Sequence, residues 1–172
     1  MATPTNLPAT AVAGEILTAA YVNNLRGAFR ILQVVSNTPY TTETDNSTTS
    51  YADTGVTATI TPQSADSKIL VYVVHGSCRK NETSASNALN MQLHRKIGAG
   101  AFSSVAQIAT GQGATGTAVA LIFNVNGVLL DSPATTSAVT YKTMFANATA
   151  SAVVTVQRNA VPSTIILMEI SA

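Results

Sequence analysis

From Ile31 to near the end of the chain, apolar residues return at every second position, a period that belongs to strands and not to helices. It predicts strands near 31–36, 56–61, 68–76, 88–97, 104–109, 117–126, 138–146, 152–158 and 164–170. The segments between them are rich in turn formers, among them TPQSAD, CRKNETSAS, GQGATG and NGVLLDSPATTS. Short strands in succession with no second helical pattern predict a mainly β domain over residues 31–172, an antiparallel β-sandwich or jelly roll of about eight strands. Its expected inward set is Val56, Ile60, Leu70, Leu89, Met91, Leu93, Val119, Leu121, Phe123 and Val125. The first linker, NTPYTTETDNSTTSYADTG, is the longest; it either crosses between sheets or hides a strand, TTSYADT being itself β-prone.

Residues 1–30 have another pattern. The opening stretch carries Pro4, Pro8 and the single charge Glu15, and reads as an extended arm. In LTAAYVNNLRGAFRIL, Thr18 is placed to cap a helix and Tyr21, Leu25, Phe29 and Leu32 recur at helical spacing, which predicts one short helix. Gly27 inside it costs about 1 kcal/mol relative to alanine, so the helix needs a packing partner. Its stripe either caps the domain's own core or forms an anchor that docks on another protein or on copies of itself. Tyr21, Leu25, Phe29 and Leu32 are the candidate anchor residues.

A chain of 172 residues suits one domain with one core. Charged residues make up only 10% of it, against about a quarter in ordinary soluble domains, and they nearly cancel to +1. Arg79, Lys80, Arg95 and Lys96 cluster mildly, but Glu82 interrupts them and no aromatic set is interleaved for base stacking, so a nucleic-acid partner is not expected. A surface of Thr, Ser, Asn and Gln favours sheets, and having few ions to desolvate it tolerates burial against another subunit. Cys78 is the only cysteine, which rules out an intrachain disulfide and leaves a buried thiol as the expectation. The opening residues show neither a basic signal region nor a long apolar run, so synthesis in the cytoplasm and no membrane insertion are expected.

The chain offers little for catalysis. GQGATG at 111–116 has the spacing of a dinucleotide fingerprint, but the stretch after it, TAVALIFNVNG, alternates as a strand, whereas the fingerprint needs a helix N-terminus for the pyrophosphate. The glycines then serve a hairpin or a loop between sheets, supplying positive φ. Of the two histidines, His75 comes directly after the apolar run ILVYVV, and His94 lies opposite Leu89, Met91 and Leu93, expected at the surface with Asn90, Gln92 and Lys96. No G-x-S-x-G elbow occurs. His75 and Cys78 form H-x-x-C without a second pair at ligand spacing. Glu43, Asp45, Asp53, Asp66 and Asp131 fall in linkers or turns and read as caps or solvated tips. No enzyme, cofactor or metal is expected.

AGEILTAAYVNNLRGAFRILQVVS resembles the N-terminal signature of small tailed-phage structural proteins, a G-E-[VI]-L-T-A-A-x-V-N segment that opens tail fibre and minor tail proteins. The continuation to ITPQSADSKILVYV is similar to a β-sandwich module of phages of aquatic bacteria, usually described as a tail fibre or virion structural protein. The resemblance covers about residues 13–75 and carries no catalytic residue. It implies a homotrimeric appendage located on the virion and joined to other virion proteins through residues 1–30, with a host surface glycan or protein as a candidate target. Long fibres carry repeat shafts that this chain lacks, which leaves a short fibre, a tip or a capsid decoration (cement) protein. A free carbohydrate-binding module or glycan hydrolase is the alternative of another class; it needs exposed aromatics for sugar stacking or a carboxylate pair, and is disfavoured by the absence of Trp and by only five Tyr.

Overall fold

The computed structural model describes residues 31–150 and 152–171; the arm and the expected helix, with Tyr21, Leu25 and Phe29, lie outside the described residues. Ten strands succeed one another: β1 (Ile31–Ser36), β2 (Thr44–Asn46), β3 (Ala52–Ile60), β4 (Lys68–Lys80), β5 (Leu89–Ile97), β6 (Ser103–Gln112), β7 (Leu121–Asp131), β8 (Val139–Asn147), β9 (Val154–Val156) and β10 (Ser163–Ile170). Among the described residues a single 3-10 turn, Arg158–Ala160, precedes β10. The strands form two antiparallel sheets, one of six strands and one of four in the order β3-β8-β5-β6. The sandwich expected from the period of two is what the chain forms.

β4 organises the larger sheet. One edge pairs with β7 along its whole length, from Ile69↔Asp131 to Lys80↔Leu121. The other edge pairs first with β10, between Lys68↔Ile170 and His75↔Ser163, and then with β9 at Arg79↔Thr155 and Lys80↔Val154. The change of partner falls at a bulge between His75 and Cys78, where Ser77 takes φ 50°. Gly76 lies under the returning chain here, since a Cβ would stand 2.7 Å from Val161 Cγ1. β1 closes the sheet beyond β10, and β2 lies outside β9.

Alternation supplies the core. Val56, Ala58 and Ile60 of β3 meet Ile69, Val71 and Val73 of β4, with Tyr141 and Leu167 among them. A second cluster joins Cys78, Leu89, Met91, Phe145 and Val154. Of the expected inward set, Val56, Ile60, Leu89, Met91, Leu93 and Val125 are buried. Leu70 is not: Ile69, Val71 and Val73 point inward instead, and Leu70 is half-buried on the outer face. ILVYVV is apolar at both parities, so its period cannot choose a face. Val119 is exposed because it precedes β7, which starts four residues later than expected, and within β7 Leu121, its first residue, is exposed and Phe123 only half-buried.

β7 also runs on through Asn126-Gly127, a pair that ordinarily marks a hairpin turn. Gly127 is there for close approach: a Cβ would stand 2.6 Å from Ile108 Cγ2 of β6, the facing edge strand of the other sheet. Leu32, expected in the helical stripe, belongs to β1. It sits where the β1–β10 register shifts, between Ile31 and Gln33, and the helical spacing runs one turn too far into the strand. The first linker does hide a strand, β2, and β3 begins within the β-prone YADT.

Candidate functional site

The groups that carry reactive chemistry are built into the fold. His75 is fully buried between the sheets. Gln157 Nε2 donates to its Nδ1 at 3.0 Å, which leaves Nε2–H to donate to Thr143 Oγ1 at 2.9 Å. Thr143 passes the chain on to Thr54 Oγ1 at 2.6 Å, and Thr54 closes it on the Thr143 carbonyl at 3.1 Å. Burial lowers the His75 pKa to about 4, so the ring is neutral near pH 7. The relay joins His75 of one sheet to Thr143 and Thr54 of the other with no carboxylate in it, and at its other end Gln157 Oε1 is buried without a hydrogen-bond partner. Cys78, one bulge away, is also buried, and desolvation raises its thiol to about 12.

The carboxylates expected as solvated tips are mostly employed. Asp131 lies on β7, where its Oδ2 accepts from Arg95 Nη1 and from Tyr141 Oη, each at 2.6 Å. Asp45 accepts from Thr155 Oγ1 at 2.6 Å, and Glu43 from the Asn159 amide at 2.8 Å. Asp53 takes Lys142 Nζ at 2.8 Å. Among the described residues no group of three or more His, Cys, Asp or Glu is placed to hold a metal ion.

The basic cluster of the sequence is dispersed. Arg79 pairs with Glu82 at 2.7 Å, Arg95 turns to Asp131, and Lys96 stands 5.1 Å from the centre of the Phe102 ring. Lys80 is fully buried, and its Nζ donates to Thr115 Oγ1 at 2.6 Å, the Thr117 carbonyl at 3.0 Å and the Ser84 carbonyl at 3.4 Å. Thr115 belongs to GQGATG, so the glycine loop is tied down by a lysine and not built around a phosphate. Gly111, Gly113 and Gly116 all take positive φ, and the loop carries the chain from β6 in one sheet to β7 in the other with no helix after it.

What remains available for a partner is the surface, and its two broad faces differ in kind. On the outer face of the four-stranded sheet, Gln92 Nε2 donates to Gln107 Oε1 at 3.0 Å, Gln92 Oε1 bonds the His94 ring at 3.0 Å, and Thr59 meets Thr140 at 2.8 Å. His94 stands there beside Gln92 as its spacing predicts, though half-buried. Burial lowers its pKa, with the Lys142 charge adding to the effect. Lys142 Nζ also stands 4.4 Å from the Phe102 ring centre. This face is polar and internally bonded.

The outer face of the six-stranded sheet is apolar. Leu130, Leu70, Met168 and Val34 stand side by side across β7, β4, β10 and β1. Val128, Tyr72 and Ile166 make the adjacent row, with Ser36 at its end. Ile31 and Ile170 hold one corner, next to Lys68, the only charge in these rows. Val128 is 64% exposed, Val34 57%, Leu130 51% and Tyr72 38%. Among the described residues these side chains form one contiguous exposed apolar patch. The sequence held the signal in the double-parity run ILVYVV paired with GVLL and TIILMEI, which only the sheet order assembles into one face.

A gap of about 240 Å³ opens between the β6 and β7 edges, lined by Val71, Val73, Leu93, Ile108 and Leu129 among others, with no charged group. Among the described residues no helix is long and apolar enough to cross a membrane. The sequence matches no protein-family profile and no curated protein. Among solved structures, the VP2 subviral particle of infectious bursal disease virus matches at 16% identity and a TM-score of 0.36 over 81% of this chain. The Gx strain of the same virus gives 12% identity and a TM-score of 0.36. The chain spans 38% of the length of each of those chains. These values assign it neither a family nor a role.

Proposed function

We propose that this protein is a non-enzymatic bacteriophage virion structural protein, a short tail fibre or tail appendage. In this reading an N-terminal arm holds it on the particle, copies associate as a homotrimer, and the sandwich faces outward toward a host glycan or protein. The observation that carries the reading is the division of the sandwich into one apolar and one polar broad face, while His75, Cys78 and Asp131 are all consumed by structure. Such a module works by what it packs against. The likeness of residues 13–75 to tailed-phage structural proteins supplies the particle.

The test is a chain lacking residues 1–17, which should fold as a β domain yet be missing from purified virions; normal incorporation overturns the anchor. Imaging of the particle separates the two mounts, a tail position supporting host recognition and a regular lattice of copies over the head supporting capsid decoration. Light scattering at micromolar concentration should give a trimer, and a stable monomer overturns that part of the reading for the isolated chain.

A further inference from the structure

We propose that the gap between the edges of β6 and β7 is a binding site for a small uncharged molecule with an apolar body, one aromatic ring or a short alkyl chain. Among the described residues β6 pairs with β5 alone and β7 with β4 alone, so the sandwich is open along this side and a ligand enters without parting a ladder. Val71 and Val73 of β4 and Leu93 of β5 form the floor, each no more than 1% exposed, which means that the gap reaches the core itself. Ala106 lies opposite Leu93 in the β5–β6 register and so on the same inner face, and Leu129, opposite Val71, faces inward from β7. Ile108 packed on Gly127 holds the two edges in contact. The space stays open beside that contact, where β6 offers only the methyl group of Ala106.

Size and polarity set the occupant. The gap of about 240 Å³ exceeds the roughly 150 Å³ of an apolar cavity that stays dry and takes benzene. It falls short of the roughly 300 Å³ at which pockets for drug-sized ligands begin. One ring with a small substituent lies in that interval. None of the residues lining the gap is charged, so an ionised ligand would shed its hydration with no counter-charge to meet. Ordered water fares little better, since it needs two to four polar partners and the side chains of Val71, Val73, Leu93 and Leu129 offer none. The polar side chains of the lining are Gln107 and Asn126. Gln107 is committed, accepting from Gln92 Nε2 at 3.0 Å and donating to the Ala109 carbonyl at 2.6 Å. Asn126 is exposed on β7, so a hydroxyl on the ligand belongs at that rim and its hydrocarbon against Leu93.

Purified full-length chain with carbon-13 in its Val, Leu and Ile methyl groups tests this without reference to the virion reading. The probes are benzyl alcohol and benzoate, which share a ring and differ in charge. Benzyl alcohol should shift the methyl resonances of Val71, Val73, Leu93, Ile108 and Leu129 saturably, and benzoate should need at least ten-fold more for the same shift. The absence of a saturable shift overturns the proposal, and so does equal binding of benzoate. Shifts confined to Leu70, Val128 and Leu130 also overturn it, because they place the ligand on the outer face of the other sheet surface. Ala106→Leu extends a side chain into the gap and should weaken benzyl alcohol binding at least ten-fold, with methyl resonances away from the gap unchanged. Undiminished binding to that variant overturns the site, and should the variant not fold, the pattern of shifts in the unsubstituted chain decides alone.

Discussion

Tyr141 donates its hydroxyl to Asp131 Oδ2 at 2.6 Å from the opposite sheet, and the same oxygen receives Arg95 at 2.6 Å. Burial, then the bond to Asp131 and its charge, raise the Tyr141 pKa, so the phenol stays a donor at any working pH. Asp131→Ala strands one cation and one buried hydroxyl, and should cost about 2–4 kcal/mol in denaturant unfolding. Tyr141→Phe should cost about 1.5–3 kcal/mol. A double variant no worse than Asp131→Ala alone would show that the two act as one unit.

His75 makes stability depend on pH. Its pKa is about 4 when folded against an ordinary 6.5. Between those values the unfolded chain binds a proton that the folded chain refuses. Stability is thus level above pH 6.5 and falls as pH drops toward 4, by about 3 kcal/mol from this ring. Chemical unfolding midpoints from pH 7 to 4 should show the slope, and His75→Gln should flatten it.

Gly55 takes φ 81°, and the Tyr40 ring lies where its Cβ would be. Gly55→Ala therefore meets both a backbone penalty and an overlap, and should destabilise by about 2–4 kcal/mol. Pairing it with Tyr40→Ala should relieve the overlap but not the backbone cost, which a partial recovery of the melting temperature would register.

Lys80 holds the glycine loop through Thr115 and Thr117. Lys80→Met keeps the stem and removes the donors. Amide exchange over residues 111–120 should accelerate by about ten-fold or more, with the β5 amides little changed.

Cys78 is fully buried with its thiol at about 12. Labelling by a thiol reagent at pH 8 should be slower than in urea by orders of magnitude and should track unfolding. Fast native labelling would mean that the bulge opens.

β5 shows how far the sequence reaches: Leu89, Met91 and Leu93 turn inward and Asn90, Gln92 and His94 outward, as strict alternation requires. β4 and β10 defeat the same logic, because both of their faces are apolar, one facing the core and the other an outer surface. β2, three residues long, is too short to show any period, whereas the equally short β9 lies within the strand expected at 152–158. Asn126-Gly127 reads as a turn because local propensity cannot register Ile108 arriving from the other sheet. Asp131 likewise reads as a loop carboxylate, since Arg95 and Tyr141 reach it only through the stacking of the sheets. The histidine and cysteine were legible as structural; the apolar face was legible in its residues but not in its assembly.

The pairing of β1 with β10, and of β10 with β4, sets the order in which the molecule can be completed. During synthesis the first strand of the sandwich must wait for the last, with β4 exposed along one edge in the meantime. The smaller sheet has all four of its strands in hand well before β10 emerges. Completion is then a single late zippering between the two ends of the domain. The two ends finish side by side, so a polypeptide appended to the C-terminus emerges at the corner where Ile31 enters, and cargo meant to stay clear of that corner belongs in the loop around Gly113–Gly116.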